Sequence, residues 1–89
     1  MQFDWDDGNR SKCLKHGLTS GEIEFALGHG AKVADDPKHS RDEKRFVAIS
    51  RTKEGRPVYI CFCLRNGLVR PISARFMHRK EAIRHGFAS

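Results

Sequence analysis

The side chains of this 89-residue chain that could carry chemistry are cationic and imidazole groups: 17 Lys and Arg and five His, against 11 Asp and Glu. The acids are not set out as a catalytic pair. Asp35 and Asp36 are adjacent, which sends their side chains different ways, so neither a glycosidase pair nor a two-metal carboxylate site is encoded. Cys13, Cys61 and Cys63 are odd in number and not at metal-ligand spacing. They read as small apolar residues in a reducing compartment, with Cys61 and Cys63 on one strand face. A P-loop, a dinucleotide-binding glycine run, a Gly-x-Ser-x-Gly elbow and a His-Glu-x-x-His pair are all missing. The remaining set suffices for one reaction. RNA carries its own nucleophile, the 2′-hydroxyl, so scission needs no metal or other cofactor. It needs a phosphate held for in-line attack, charge neutralised on its non-bridging oxygens, and protons moved. The planar Arg fork suits the second task, and imidazole, titrating near neutrality, suits the third. The expected product is a 2′,3′-cyclic phosphate.

The charge is unevenly placed. The chain carries +6 overall, but residues 1–36 hold 4 bases and 7 acids, whereas residues 37–89 hold 13 bases and 4 acids. A net −3 half followed by a net +9 half points to a polyanionic partner for the second. Hydrophobic content of 38% and six Phe exclude a disordered tail, and the length supports one domain, residues 1–89. No window approaches the ~18 apolar residues of a membrane span, and the acidic start MQFDWDDGNR has no apolar signal region. The expected location is the cytoplasm.

These residues must be positioned by an α+β domain. Phe3-Asp4-Trp5 is a short alternating apolar piece that could add a short N-terminal strand, and Asp6-Asp7 cap a helix that runs through Leu14 and stops at Gly17. Thr19 and Glu22 form a capping box for a second helix, with Ile23, Ala26 and Leu27 on one face and an end at Gly28-His29-Gly30. From residue 31 the period becomes alternating. Strands are expected at 31–35, 46–50, 58–64 and 68–75, with a polar loop at 36–42. Asn66-Gly67 occupies the two central positions of a type I′ hairpin. Pro71 removes a ladder donor, so the last strand is at an edge or bulged there. Residues 77–85 form a short basic helix. Phe46, Ile60, Phe62 and Ile72 are the expected core of the antiparallel sheet of three to four strands.

Three stretches carry a resemblance: FDWDDGNRSKCLKHG (3–17), DEKRFVAISRTKEGRP (42–57) and RPISARFMHRKEA (70–82). A Trp-Asp start, a Lys-His-Gly helix end, an acidic-x-Arg strand start and an Ile-Ser-Ala-Arg strand follow in the order and spacing of the BrnT family of type II toxin–antitoxin toxins. The run Cys61-Phe62-Cys63 departs from it, since relatives often place Val, Tyr or Thr there. The resemblance implies a RelE-like fold and an endoribonuclease that inhibits translation and growth. It also implies a cognate ribbon-helix-helix, BrnA-like antitoxin, with operator DNA bound only through that antitoxin.

Carried over residue by residue, the matching catalytic candidates are Arg45, Arg75, His78, Arg79 and Glu81. Lys15, His16, Arg51, Arg70 and Lys80 are the candidates for RNA binding. Each has a plainer role beside it. Arg75 ends a strand and could pair with Asp42 or Glu43. Arg45 could be a solvated edge residue, and His78 a polar group in the first turn of its helix. His16 lies where an imidazolium favours a helix C-terminus. Glu81 could orient His78 or pair with Arg84 or His85 on the helix surface. His39 and His85 read as surface residues, and Tyr59 and Phe76 as aromatics on which a base could stack. Two rival functions stand beside the ribonuclease: an inactive partner of a DNA-binding antitoxin in an autoregulatory repressor, and a stand-alone nucleic-acid binder.

Overall fold

In a computed structural model, which describes residues 1–87, the chain forms α1 (Asp7–Leu14), α2 (Ser20–Gly28), β1 (Lys32–Asp35), β2 (Arg45–Arg51), β3 (Pro57–Arg65), β4 (Leu68–Phe76) and α3 (Arg79–Arg84). The four strands make one antiparallel sheet in the order β1-β2-β3-β4. The α+β expectation therefore holds, with four strands in the sheet.

Local chemistry accounts for the boundaries. Asp6 caps α1, taking the Asn9 N–H at 3.1 Å while the Asn9 side-chain oxygen takes the Asp6 N–H at 2.8 Å. The helix closes at Leu14, three residues before Gly17, which supplies the turn at φ +95°. Thr19 and Glu22 exchange the expected box at 3.0 and 2.9 Å. Asn66 and Gly67 both sit at positive φ, 54° and 78°, as the two-residue hairpin requires.

Alternation divides the sheet into two faces. Ala48, Ser50, Val58, Ile60, Phe62 and Ala74 point to the helices and bury against Cys13, Leu18, Ile23, Ala26 and Leu27. The Ser50 hydroxyl donates to the Ala26 carbonyl at 2.7 Å, tying β2 to α2. The opposite, open face carries Arg45, Val47, Ile49, Cys61, Tyr59, Ser73 and Arg75. Cys13 and Cys63 are buried free thiols, and Cys61 is half-buried. Burial pushes the Cys13 thiol up to about 11, which keeps it protonated and inert.

Several expectations need correction. The N-terminal piece is not a strand: Phe3 makes a single parallel bridge to Val69, which covers the outer edge of β4 without extending the sheet. The loop after β1 contains one 3-10 turn, Pro37–His39, and β1 itself starts at Lys32. The last helix begins at Arg79 rather than 77, because His78 is its N-cap. Ile72 is not core; it is half-exposed at a register shift, since two β4 residues follow Pro71 where the ladder has room for one. Pro71 is thus both on an edge strand and at a bulge. Its carbonyl accepts a 2.8 Å bond from the buried Asn9 side chain, whose amide also donates to the Asp4 carbonyl.

Candidate functional site

The bulge decides which way Arg75 points. Up to Pro71 the hairpin pairs Cys63 with Arg70 and Phe62 with Pro71; beyond it Cys61 pairs with Ser73 and Tyr59 with Arg75. An unbroken register from the same turn would set Arg75 opposite Val58, inside the core. One inserted residue moves Ser73 and Arg75 to the open face.

There Arg75 is held from two sides. Its two terminal nitrogens donate to the two carboxylate oxygens of Glu81 at 2.6 and 2.7 Å, and its guanidinium lies 4.5 Å from the centre of the Tyr59 ring. Glu81 is 8% exposed at its side chain but Arg75 is 43% exposed. The carboxylate is therefore a fixed wall, and the guanidinium faces solvent beyond it. A guanidinium has five N–H donors, so two spent on Glu81 leave three for another anion. Arg75 holds the Glu81 carboxyl below its ordinary value, and the same bond raises the Arg75 guanidinium further. Burial raises the Tyr59 phenol.

Arg75 and Tyr59 open into a recess of about 190 Å³ completed by Ser73, Ala74 and, from the end of α1, Lys15 and His16. Sequence residues 15–16 and 75 are thus brought together, by the packing of α1 along β4. Tyr59 and Ser73 belong to the same recess. Hairpin register would have found Tyr59 only with the bulge counted, and nothing local marks Ser73.

The other candidates are placed elsewhere. Arg75 does not pair with Asp42 or Glu43, and Glu81 neither orients His78 through its carboxylate nor pairs with Arg84 or His85, because Arg75 takes both of its oxygens. His78 Nδ1 accepts the Glu81 backbone N–H at 3.3 Å, which sets its lone pair on Nδ1. Arg79 and Lys80 are exposed on the first turn of α3. Arg51 donates to the Gly55 carbonyl at 2.9 Å and covers the Phe87 ring, at the far end of β2. Arg70 is clamped by Asp4 and Asp6 at 3.4 and 3.0 Å. Arg45 shares a sheet row with Cys63, four residues along β3 from Tyr59, so it lies ~13 Å from the Arg75 row at the usual strand rise. His39 bonds Asp36 at the surface, while His85 is half-buried, tilted against Tyr59.

Among the described residues no cluster of three or more His, Cys, Asp or Glu side chains could hold a metal ion. No helix among them is long and apolar enough to cross a membrane. A family model described as the ribonuclease toxin BrnT of type II toxin–antitoxin systems matches residues 5–81. No curated protein and no solved structure matches the chain.

Proposed function

The chain belongs to the BrnT family of type II toxin–antitoxin ribonuclease toxins, and on that premise we propose that it cleaves RNA by 2′-hydroxyl attack, without a metal, at the Arg75 recess. The carrying observation is the bidentate Arg75–Glu81 pair beneath a recess shared with Lys15 and His16.

The substrate phosphate sits over Arg75, whose outward N–H groups hold the non-bridging oxygens as charge builds on them. Glu81 and Tyr59 are positioning residues, fixing the guanidinium before substrate arrives so that little reorganisation accompanies the reaction. Lys15 adds a second positive charge at the rim. Proton transfer falls to His16, the imidazole that lines the same recess, rather than to His78, which does not line it. The 2′-oxygen forms a bond to phosphorus, the 5′-oxygen of the next nucleotide leaves with a proton, and a 2′,3′-cyclic phosphate remains. Arg79 and Lys80 add to the field that attracts RNA. A ribbon-helix-helix antitoxin of BrnA type would neutralise the toxin by covering this face, and growth arrest through lost translation would follow from its release.

Purified protein incubated with RNA in excess EDTA tests this directly. Fragments ending in 2′,3′-cyclic phosphate are expected, and a 2′-deoxy substitution at the cut site should block scission. Intact RNA after incubation with folded protein would sink the proposal.

A further inference from the structure

A second basic recess lies on the same open face. It occupies about 240 Å³ between α1 and the row Arg45-Cys63-Arg70, and its cations are Lys12, Arg45, Arg65 and Arg70 against the single acid Glu43. It shares Arg45, Arg65 and Glu43 with a larger hollow of about 640 Å³ that is also lined by His39, Arg41 and Asp42. These cations are not equally committed. Arg70 is tied down by Asp4 and Asp6, with its side chain 13% exposed, and serves as a wall. Arg65 meets Glu43 through one nitrogen at 3.0 Å, which leaves most of its donors unused. Among the described residues Lys12 and Arg45 have no ion-pair partner, although Arg45 is half-buried. Glu43 lines the same recess and feels the Arg45 charge, but no carboxylate among the described residues touches the half-buried guanidinium, which has lost solvation that a bound anion would restore.

We propose that Lys12, Arg45 and Arg65 bind a second backbone phosphate of the substrate, upstream or downstream of the bond cut at Arg75. This rests on the ribonuclease reading above and adds a subsite to it. The spacing favours RNA as the occupant. The Arg45 row lies ~13 Å from the Arg75 row along β3. At ~3.4 Å per stacked nucleotide, that gap spans roughly four nucleotides, and fewer in an extended strand. Half-exposed Val47, Cys61 and Ser73 form the row between the two. Such a track holds a single strand by its phosphates while leaving the bases unread. Arg45 is thereby a binding residue remote from the bond that breaks.

The experiment compares wild type with Arg45→Ala/Lys12→Ala. Among the described residues neither has an ion-pair partner to orphan, and a thermal melt checks that the fold is kept. Initial rates are measured on a ribodinucleotide and on a ribo-octanucleotide. The expected result is a KM for the octanucleotide raised about tenfold with kcat within twofold, and dinucleotide cleavage unchanged within twofold. Equal losses on both substrates, or no loss on either, would overturn the subsite. So would normal cleavage combined with escape from inhibition by an acidic peptide, which would assign the recess to a protein partner. Fluorescence anisotropy with an uncleavable all-2′-deoxy octanucleotide supplies an independent arm. Loss of the one phosphate contact should make the slope of log affinity against log salt shallower by about 0.7. If wild type cuts neither substrate, the ribonuclease reading fails by itself; an unchanged slope and affinity in the variant overturns the subsite.

Discussion

Arg75 faces Tyr59 across the β3–β4 hairpin because Ile72 is one residue more than the ladder can pair. The consequence reaches beyond geometry. The guanidinium is delivered to the face where Glu81, six residues on, can grip it with both oxygens and where α1 brings Lys15 and His16 alongside. A cation that would otherwise have been directed into the core becomes the fixed point of a recess.

Arg75→Ala should lower RNA cleavage by about 100-fold or more, the usual loss when one preorganised transition-state donor is removed. Arg75→Lys should recover little, because an ammonium cannot make the two-point contact with Glu81 and hold a phosphate as well. Single-turnover rates on a defined RNA, with folded protein confirmed by circular dichroism, measure both. A fully active, folded Arg75→Ala variant would remove Arg75 from the site.

Glu81→Gln should reduce kcat more than it changes KM, since it loosens Arg75 without removing it. It also has a pH signature. Arg75 lowers the folded Glu81 carboxyl beneath its ordinary 4.5. The pair therefore contributes stability in full above the unfolded value, and that contribution is lost as pH falls through the lower, folded one. Urea midpoints of wild type and Glu81→Gln should differ most above the ordinary carboxyl value of 4.5 and converge as pH falls through the lowered, folded one. A difference independent of pH would show that the ion pair is not its source.

Deleting Ile72 should restore a continuous register and turn Arg75 and Ser73 inward. Burying an unpaired guanidinium costs about 3 kcal/mol or more, a large share of a small domain's stability, so the deletion variant should be largely unfolded at 25 °C. Ile72→Val, which keeps the residue count, should fold normally and retain cleavage. Amide NMR spectra of the two variants distinguish these outcomes, and a well-dispersed native spectrum for the deletion would contradict the role given to the bulge.

Asn9→Ala should destabilise the domain by about 2–3 kcal/mol, because it leaves the buried Pro71 carbonyl without a donor and breaks the capping box of α1. Chemical denaturation measures this. Since Lys15 and His16 directly follow the end of α1, the surviving folded protein should also show a raised KM for RNA.

Much of this molecule is legible from local chemistry. The caps at Asp6 and Thr19, the Asn66-Gly67 turn, the alternation of β2 and the apolar run of β3 each depend on residues a few positions apart, and each is where the residues place it. His78 is the cap of α3 rather than a residue of its first turn: its backbone is extended, at ψ 168°, and its Nδ1 accepts the Glu81 N–H. The site was legible only in its ingredients. Arg75, Glu81, Lys15 and His16 could be picked out by type and by family resemblance, but not their partners: the sequence offers Asp42 or Glu43 for Arg75 as readily as Glu81. By itself, then, the sequence determined the two-layer α+β element order, the basic character of the second half and the residue types available for phosphate chemistry. Tertiary structure alone decided that Arg75 is outward, that it is gripped by Glu81, and that Arg45 stands ~13 Å away from it. The reason is register: side-chain direction in a sheet inverts with every residue, so a single bulge, stabilised by Asn9 sixty-two positions from Pro71, reassigns a whole strand end.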